Sequence, residues 1–299
     1  MKNPKDAALY PRVPNLAERK LGRLRTCFSM LRPQQWTKNL LVVAALLFAA
    51  QAHVPRLCYL AFLAFGGFCL ASSGVYVLND VLDREADRAH PRKRCRPVAS
   101  GLVRPATAVV IAVLLLCAGL VLMGLTTLGA FSCLCAYLLL QAAYSTWLKH
   151  IVILDVMTIA AGFVLRAAAG AYAIDVLISP WLLICTVLLA LFLALSKRRS
   201  ELLASGDPQF HRQVLGDYSL AFLDQLIAIV TSCTVLSYVL YTFSEQTMRK
   251  FPSHLMPLTS PFVLYGIFRY LYLIHQKSGG GEPEMTRSAP RRRRSQNRR

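Results

Sequence analysis

The chain is short of acid. Its 299 residues hold 15 Asp+Glu against 34 Lys+Arg, a formal net charge of +19. Charged residues of both signs make up only 16%, where ordinary globular chains carry about 25%. A disulfide framework is also missing. The nine Cys stand singly, mostly inside apolar runs, without a CxxC pair, and Cys133 and Cys135 are the one close pair. They read as small buried hydrophobes. No internal repeat is visible, and the first 38 residues lack the short apolar core of a cleavable signal peptide. What abounds is apolar: 55% of residues are hydrophobic and mean hydropathy is +0.44. That excludes a disordered chain and argues against an ordinary soluble domain. A chain both greasy and basic must keep the two apart, and a lipid bilayer does so.

A spanning helix needs about 20 mostly apolar residues. Eight candidate spans follow: 39–52, 57–78, 105–124, 127–147, 151–173, 180–196, 220–243 and 257–275. With the N-terminus inside, the inner segments hold 29 of the 34 Lys+Arg. The outer loops hold three, Arg56, Arg249 and Lys250, and two more, Arg166 and Arg269, fall within spans. This asymmetry predicts cytoplasmic termini and cytoplasmic inner loops. Trp36, Trp147 and Trp181 each fall at a span end, as an aromatic belt places them.

The scarce acids cluster at the inner end of the second span, where Asn79, Asp80, Asp83 and Asp87 stand. At about 100° per residue, the three Asp share one helix face over two turns. Like charges so placed repel, and a divalent cation removes that cost. Carboxylate oxygens suit Mg²⁺, held by one or two carboxylates plus substrate phosphates. Lys93, Arg94 and Arg96 follow at once, after His90-Pro91-Arg92. Basic groups beside a metal-binding acidic motif suit a Mg²⁺-bound polyphosphate.

Asp155 and Arg166 lie 11 residues apart in the fifth span, on nearly one stripe but about 16 Å apart along the axis. Thr158 and Gly162 fall within that stripe or on its edge. Intramembrane charges face a cavity or a partner, and this separation favours a polar cavity over direct pairing. Tyr137, Gln141 and Tyr144 share a face of the fourth span. Lys197-Arg198-Arg199-Ser200-Glu201 opens the third inner loop, with Lys197 and Glu201 as i,i+4 partners. Arg32, Trp36, Lys38 and Asn39 precede the first span as an interfacial anchor or another side of a phosphate site.

Asn79 to Asp87 has the form NDxxDxxxD, followed by Arg94-x-Arg96-Pro97 and Ser100-Gly101. The segment resembles the UbiA superfamily of membrane prenyltransferases. Leu31-Arg32-Pro33-x-Gln35-Trp36-Thr37-Lys38-Asn39, Tyr144-Ser145-x-x-Leu148-Lys149, Gly162-Phe163-x-x-Arg166 and Lys197-Arg198-Arg199-x-Glu201-Leu202 look like its decaprenyl-phosphate phosphoribosyltransferase branch. The resemblance runs from about Leu31 to Pro283. It implies an all-α polytopic bundle, usually of nine spans, around a central cavity. It also implies Mg²⁺-dependent transfer of 5-phosphoribose from phosphoribosyl pyrophosphate (PRPP) to a polyprenyl phosphate, with release of pyrophosphate, for lipid-linked cell-wall sugar synthesis. The rival activity is prenyl transfer from a prenyl diphosphate to an aromatic acceptor. Aromatic prenyltransferases of the superfamily carry a second DxxxD after the sixth span, where this chain has Lys197-Arg198-Arg199-x-Glu201.

On this resemblance Asp80, Asp83 and Asp87 are the catalytic metal ligands, supported by Asn79. Lys38, Lys93, Arg94, Arg96, Tyr144, Lys149, Asp155, Arg166, Lys197, Arg198 and Glu201 are substrate-binding candidates. The expected organisation is a basic cytoplasmic segment 1–38, a transmembrane catalytic domain 39–275 and a basic flexible tail 276–299. The family's ninth segment is not found; Gly279-Gly280-Gly281-Glu282-Pro283-Glu284 and an arginine-rich run stand in its place. That run suits anionic lipid rather than nucleic acid.

Overall fold

Among the described residues ten α-helices form, the long ones where apolar runs satisfy their own backbone in lipid and two of them, α3 and α9, as short polar turns. The computed structural model describes residues 26, 28–89, 93–178, 180–204, 213–250 and 255–276. Among them there is no strand. The helices are α1 Leu40–Phe48, α2 Pro55–Leu82, α3 Arg84–Ala89, α4 Pro105–Gly124 and α5 Leu128–Thr146. They continue with α6 Leu154–Ala173, α7 Pro180–Ala204, α8 Leu220–Phe243, α9 Glu245–Lys250 and α10 Ser260–Gln276. Short 3₁₀ turns occupy Pro33–Asn39, Lys93–Cys95 and Leu148–His150. Of the expected terminal segments, residues 1–25, 27 and 277–299 lie outside the described residues, as do His90, Pro91 and Arg92.

Among the described residues six helices are long and apolar enough to cross a bilayer: α2, α4, α5, α6, α7 and α8. The protein is an integral membrane protein. Two of the eight expected spans come out short. The first is the nine-residue α1, about 14 Å long, less than half of a bilayer's apolar core of about 30 Å. The last is the 17-residue α10, about 25 Å. Two others run further than hydropathy alone indicates. Helix α2 carries on through Asn79 and Asp80 to Leu82, and α7 carries on through the Lys197–Glu201 cluster.

The chain divides into two compact units. One comprises residues 1–37 and 69–119. Its core gathers Met30, Val77, Val98, Ala108 and Ala112. Gly74 is required where α2 meets α4, because a Cβ there would stand 2.8 Å from the Leu116 side chain and 3.0 Å from the Ala112 carbonyl.

The other unit comprises residues 38–68 and 120–299. Helix α6 is its hub, packed on α1, α5 and α7, while α8 packs on α7 and α10. Small residues make this possible. In membranes, backbones approach through Gly and Ala rather than through large side chains. A Cβ on Gly170 would lie 1.9 Å from the Val42 carbonyl oxygen, so only glycine admits α1 at that depth. Val156, Phe192, Leu195, Val214, Leu223 and Ile227 build the core on the opposite flank.

Candidate active site and buried charge networks

In the first unit, α2 delivers Asp80 to its last turn and α3 delivers Asp87, both buried. The loop that follows turns back through Gly101, whose φ of +82° suits glycine. Val98 anchors that loop in the core, and Arg88 Nε donates to the Ala99 carbonyl at 3.0 Å. Arg96 is thereby placed between the two acids. Its Nη1 donates to Asp80 Oδ1 at 3.1 Å and to Asp87 Oδ2 at 2.5 Å. Arg32 Nη2 reaches Asp80 Oδ1 from the other side at 2.5 Å. The Arg32 segment is pinned to α2 through Ser73, which donates to the Leu31 carbonyl at 2.7 Å and accepts from Trp36 Nε1 at 3.0 Å.

Two expectations need correction here. The shared face of three carboxylates reduces to two. Helix α2 ends at Leu82, and Asp83 occupies the turn before α3 with its side chain exposed. Among the described residues no group of three His, Cys, Asp or Glu side chains converges to hold a metal. Arg96 lies on the carboxylates, while Lys93 and Arg94 are exposed on their 3₁₀ turn. Asn79 is half-buried. Even so, Asp80 and Asp87 both lie within 3.1 Å of a single nitrogen, so they are close enough to share one cation. Their donors are all oxygen, and two carboxylates completed by substrate phosphate are a usual Mg²⁺ set.

In the second unit, Asp155 and Arg166 have different partners. Each is buried in a separate network. Asp155, fully buried in the first turn of α6, accepts from Arg198 Nε at 2.7 Å and from the Tyr218 hydroxyl at 2.8 Å. Arg198 Nη1 donates to Glu201 Oε2 at 2.6 Å and Nη2 donates to the Tyr144 hydroxyl at 3.3 Å. Tyr218 also accepts from the Ile153 amide at 2.8 Å. Ile153 has a φ of +69°, a strained value for a β-branched residue, and this bond helps to hold it. Burial pushes the Tyr218 phenol up to about 12, and Asp155 beside it adds to the rise against the pull of the Ile153 amide. Arg199 turns away to Asp224 at 2.5 Å, with His275 3.4 Å from the same carboxylate.

Arg166 sits two turns beyond Thr158 on α6. Its Nε donates to Asn39 Oδ1 at 2.8 Å, its Nη1 to the Gly162 carbonyl at 2.7 Å and its Nη2 to the Tyr137 hydroxyl at 2.9 Å. The guanidinium also lies over the Tyr137 ring, 4.5 Å from its centroid. Asn39 stands at the N-cap of α1 but makes no side-chain cap bond. Gln141 Nε2 donates to the same Tyr137 hydroxyl at 2.8 Å. Lys197 is exposed, and Lys38 and Lys149 are half-buried.

Sequence reasoning missed Tyr218, Asp224 and the pairing of Arg32 with Asp80. Tyr218 carries no local signal, being one tyrosine near the start of α8. Asp224 was visible as a lone carboxylate in an apolar run.

Residues 39–280 match the UbiA prenyltransferase family. A decaprenyl-phosphate phosphoribosyltransferase of Mycolicibacterium smegmatis is 38% identical over 220 residues, covering 72% of this chain and 69% of the relative. Enzymes of the same name from Corynebacterium glutamicum and Mycobacterium tuberculosis are each 34% identical, covering 86% and 85% of this chain and 79% and 84% of theirs. The fold is similar to that of a UbiA homologue from Archaeoglobus fulgidus bound to GPP and Mg²⁺, with a TM-score of 0.63 and 17% identity over 82% of this chain and 85% of that one. Another structure of that homologue gives a TM-score of 0.66 at 16% identity, covering 87% and 92%. A helical bundle with a paired-aspartate site, matched by the family over most of its length, leaves one assignment: the chain is a membrane transferase and belongs to the UbiA prenyltransferase family.

Proposed function

We propose that the protein transfers 5-phosphoribose from PRPP to a polyprenyl phosphate and releases pyrophosphate. The observation that carries this reading is the 34–38% identity, over most of the chain, to relatives named decaprenyl-phosphate phosphoribosyltransferase. The absence of a second DxxxD motif from the sequence supports it further. In this reading a phosphate oxygen of the acceptor forms the new bond to C1 of the ribose, and the C1–diphosphate bond breaks with its electrons leaving on pyrophosphate. A phosphate monoester is largely dianionic at neutral pH, its second pKa being about 6, so no general base is required.

Asp80 and Asp87 would hold the divalent cation, with Asn79 and Asp83 near at hand. When bound, Mg²⁺ supplies positive charge to the departing diphosphate. Lys93 and Arg94, exposed beside the acids, are assigned to the donor's phosphates. Lys38, Lys149 and Lys197 remain candidates for either substrate. The cytoplasmic side carries the site, because 29 of 34 Lys+Arg fall on that side of the spans and PRPP is a cytosolic metabolite.

The test is a paired assay of purified protein with Mg²⁺. One arm holds PRPP and polyprenyl phosphate, the other prenyl diphosphate and 4-hydroxybenzoate. Lipid-linked phosphoribose is expected in the first arm only, lost with EDTA and in Asp80→Asn. Product only in the second arm would establish the prenyltransferase reading, which the GPP-bound Archaeoglobus fulgidus homologue favours.

A further inference from the structure

Among the described residues two arginines are buried, Arg166 and Arg198. Arg198 has two carboxylates, Asp155 and Glu201. Arg166 has none. Its hydrogen-bond partners are an amide, a main-chain carbonyl and a phenol, all neutral. Arginine does not shed its proton inside proteins, so the site carries a full positive charge. The aromatic faces of Tyr137 and Phe163, at 4.5 and 5.4 Å, soften that charge without cancelling it. The group lies about 18 Å along α6 from Leu154, inside a membrane-spanning helix, where an ionisable residue marks a ligand path or a partner.

The geometry also leaves bonding capacity. The three hydrogen bonds use three of the five guanidinium N–H groups, and one remains on each terminal nitrogen as a donor for a phosphate oxygen. The frame around it is stiff. Tyr137 is buried against Phe68, ring centroids 5.5 Å apart. Asn39 is fully buried. A Cβ on Gly162 would meet Nη1 at 3.4 Å and the Tyr137 ring at 3.7 Å, so glycine there lets the guanidinium fold back onto its own helix.

We propose that Arg166, framed by Asn39 and Tyr137, is a phosphate subsite whose ligand supplies the missing negative charge. The ligand class is a phosphate ester or diphosphate. This rests on the phosphoryl-substrate reading above and selects Arg166 over Arg198, whose charge the protein already balances. The phosphate comes from the lipid acceptor or from the phosphosugar donor.

Thermal unfolding of purified wild type, Arg166→Gln and Arg166→Lys in detergent tests this, with Mg²⁺ and either inorganic pyrophosphate or a polyprenyl phosphate as probe. Wild type should be stabilised by at least one probe, and the responding probe names the source. Arg166→Gln should keep a ligand-free Tm at or above wild type, because a neutral side chain relieves the unbalanced charge. It should need about ten-fold or more of the responding probe for the same shift, as loss of a charge-assisted contact implies. Arg166→Lys should fall between the two. A wild type that answers neither probe, or an Arg166→Gln with lowered Tm and unchanged probe response, overturns the subsite in favour of helix packing. If Arg166→Gln does not fold, Arg166→Lys decides: weakened probe response supports the subsite and an unchanged one overturns it. Wild type that binds a probe but transfers no phosphoribose would sink the proposed reaction and leave the subsite standing. Normal transfer and probe response by Arg166→Gln would do the reverse.

Discussion

Arg198 and Arg166 are both buried in the second unit, both bonded through three nitrogens, and built on opposite principles. Arg198 bridges α6 and α7 through Asp155, holds Glu201 on its own helix and touches Tyr144. Two carboxylates bond directly to its guanidinium. Arg166 is held by neutral groups from α1, α5 and α6. The first arrangement is complete as it stands. The second has the cation and the frame but lacks the anion. Being hydrogen-bonded and being charge-balanced are therefore separate conditions: every nitrogen of Arg166 has a partner, yet none of those partners carries a negative charge.

The sharpest way to break this contrast is Arg198→Ala. It strands Asp155, which is fully buried, and should cost about 3–5 kcal/mol, the usual penalty for removing one partner of a buried pair. Unfolding measured in detergent should show it clearly. If Arg198→Ala were as stable as wild type, the distinction between a closed and an open network would fail.

Gly170→Ala perturbs the other side. The new methyl must displace the Val42 backbone of α1, and Asn39 at the start of α1 moves with it. Overpacking of this kind costs about 1–3 kcal/mol, read as a lower Tm. The same variant should also weaken whatever phosphate probe stabilises wild type.

Tyr218→Phe tests the support beneath Asp155. It removes the bond to that carboxylate and the acceptor for the Ile153 amide, with an expected loss of about 1–3 kcal/mol. The pH dependence follows in sign. Because folding raises the Tyr218 phenol to about 12 from an ordinary value of about 10, its contribution is complete below about pH 10 and fades as pH rises towards 12. Tyr218→Phe should flatten that alkaline decline in unfolding measurements.

Arg199→Ala should give the smallest effect. Its partner Asp224 is 40% exposed, and exposed pairs contribute about 0.2–1 kcal/mol. A Tm change as large as that of Arg198→Ala would mean that the α7–α8–α10 junction carries more of the fold than its exposure indicates.

The sequence by itself determined that the chain lives in a membrane, where its long apolar helices lie, and which family it resembles. Those conclusions rest on runs of apolar residues, on the sidedness of Lys and Arg, and on the NDxxDxxxD segment, all local and linear properties. It also singled out Asp80, Asp87, Asp155, Arg166 and Arg198, because charge is conspicuous against an apolar background. Tertiary structure decided how those charges are used. Ideal helix geometry put Asp83 beside Asp80 and Asp87, yet its side chain stays exposed at the turn between α2 and α3 while theirs are buried. The Asp155–Arg166 stripe reads as one cavity along a single helix. Its members are separated because Arg198 comes from α7, Tyr218 from the segment before α8, and Asn39 from the start of α1. A residue's own helix sets the face it presents; which partner meets that face depends on contacts distant in sequence, and no period in the sequence records them.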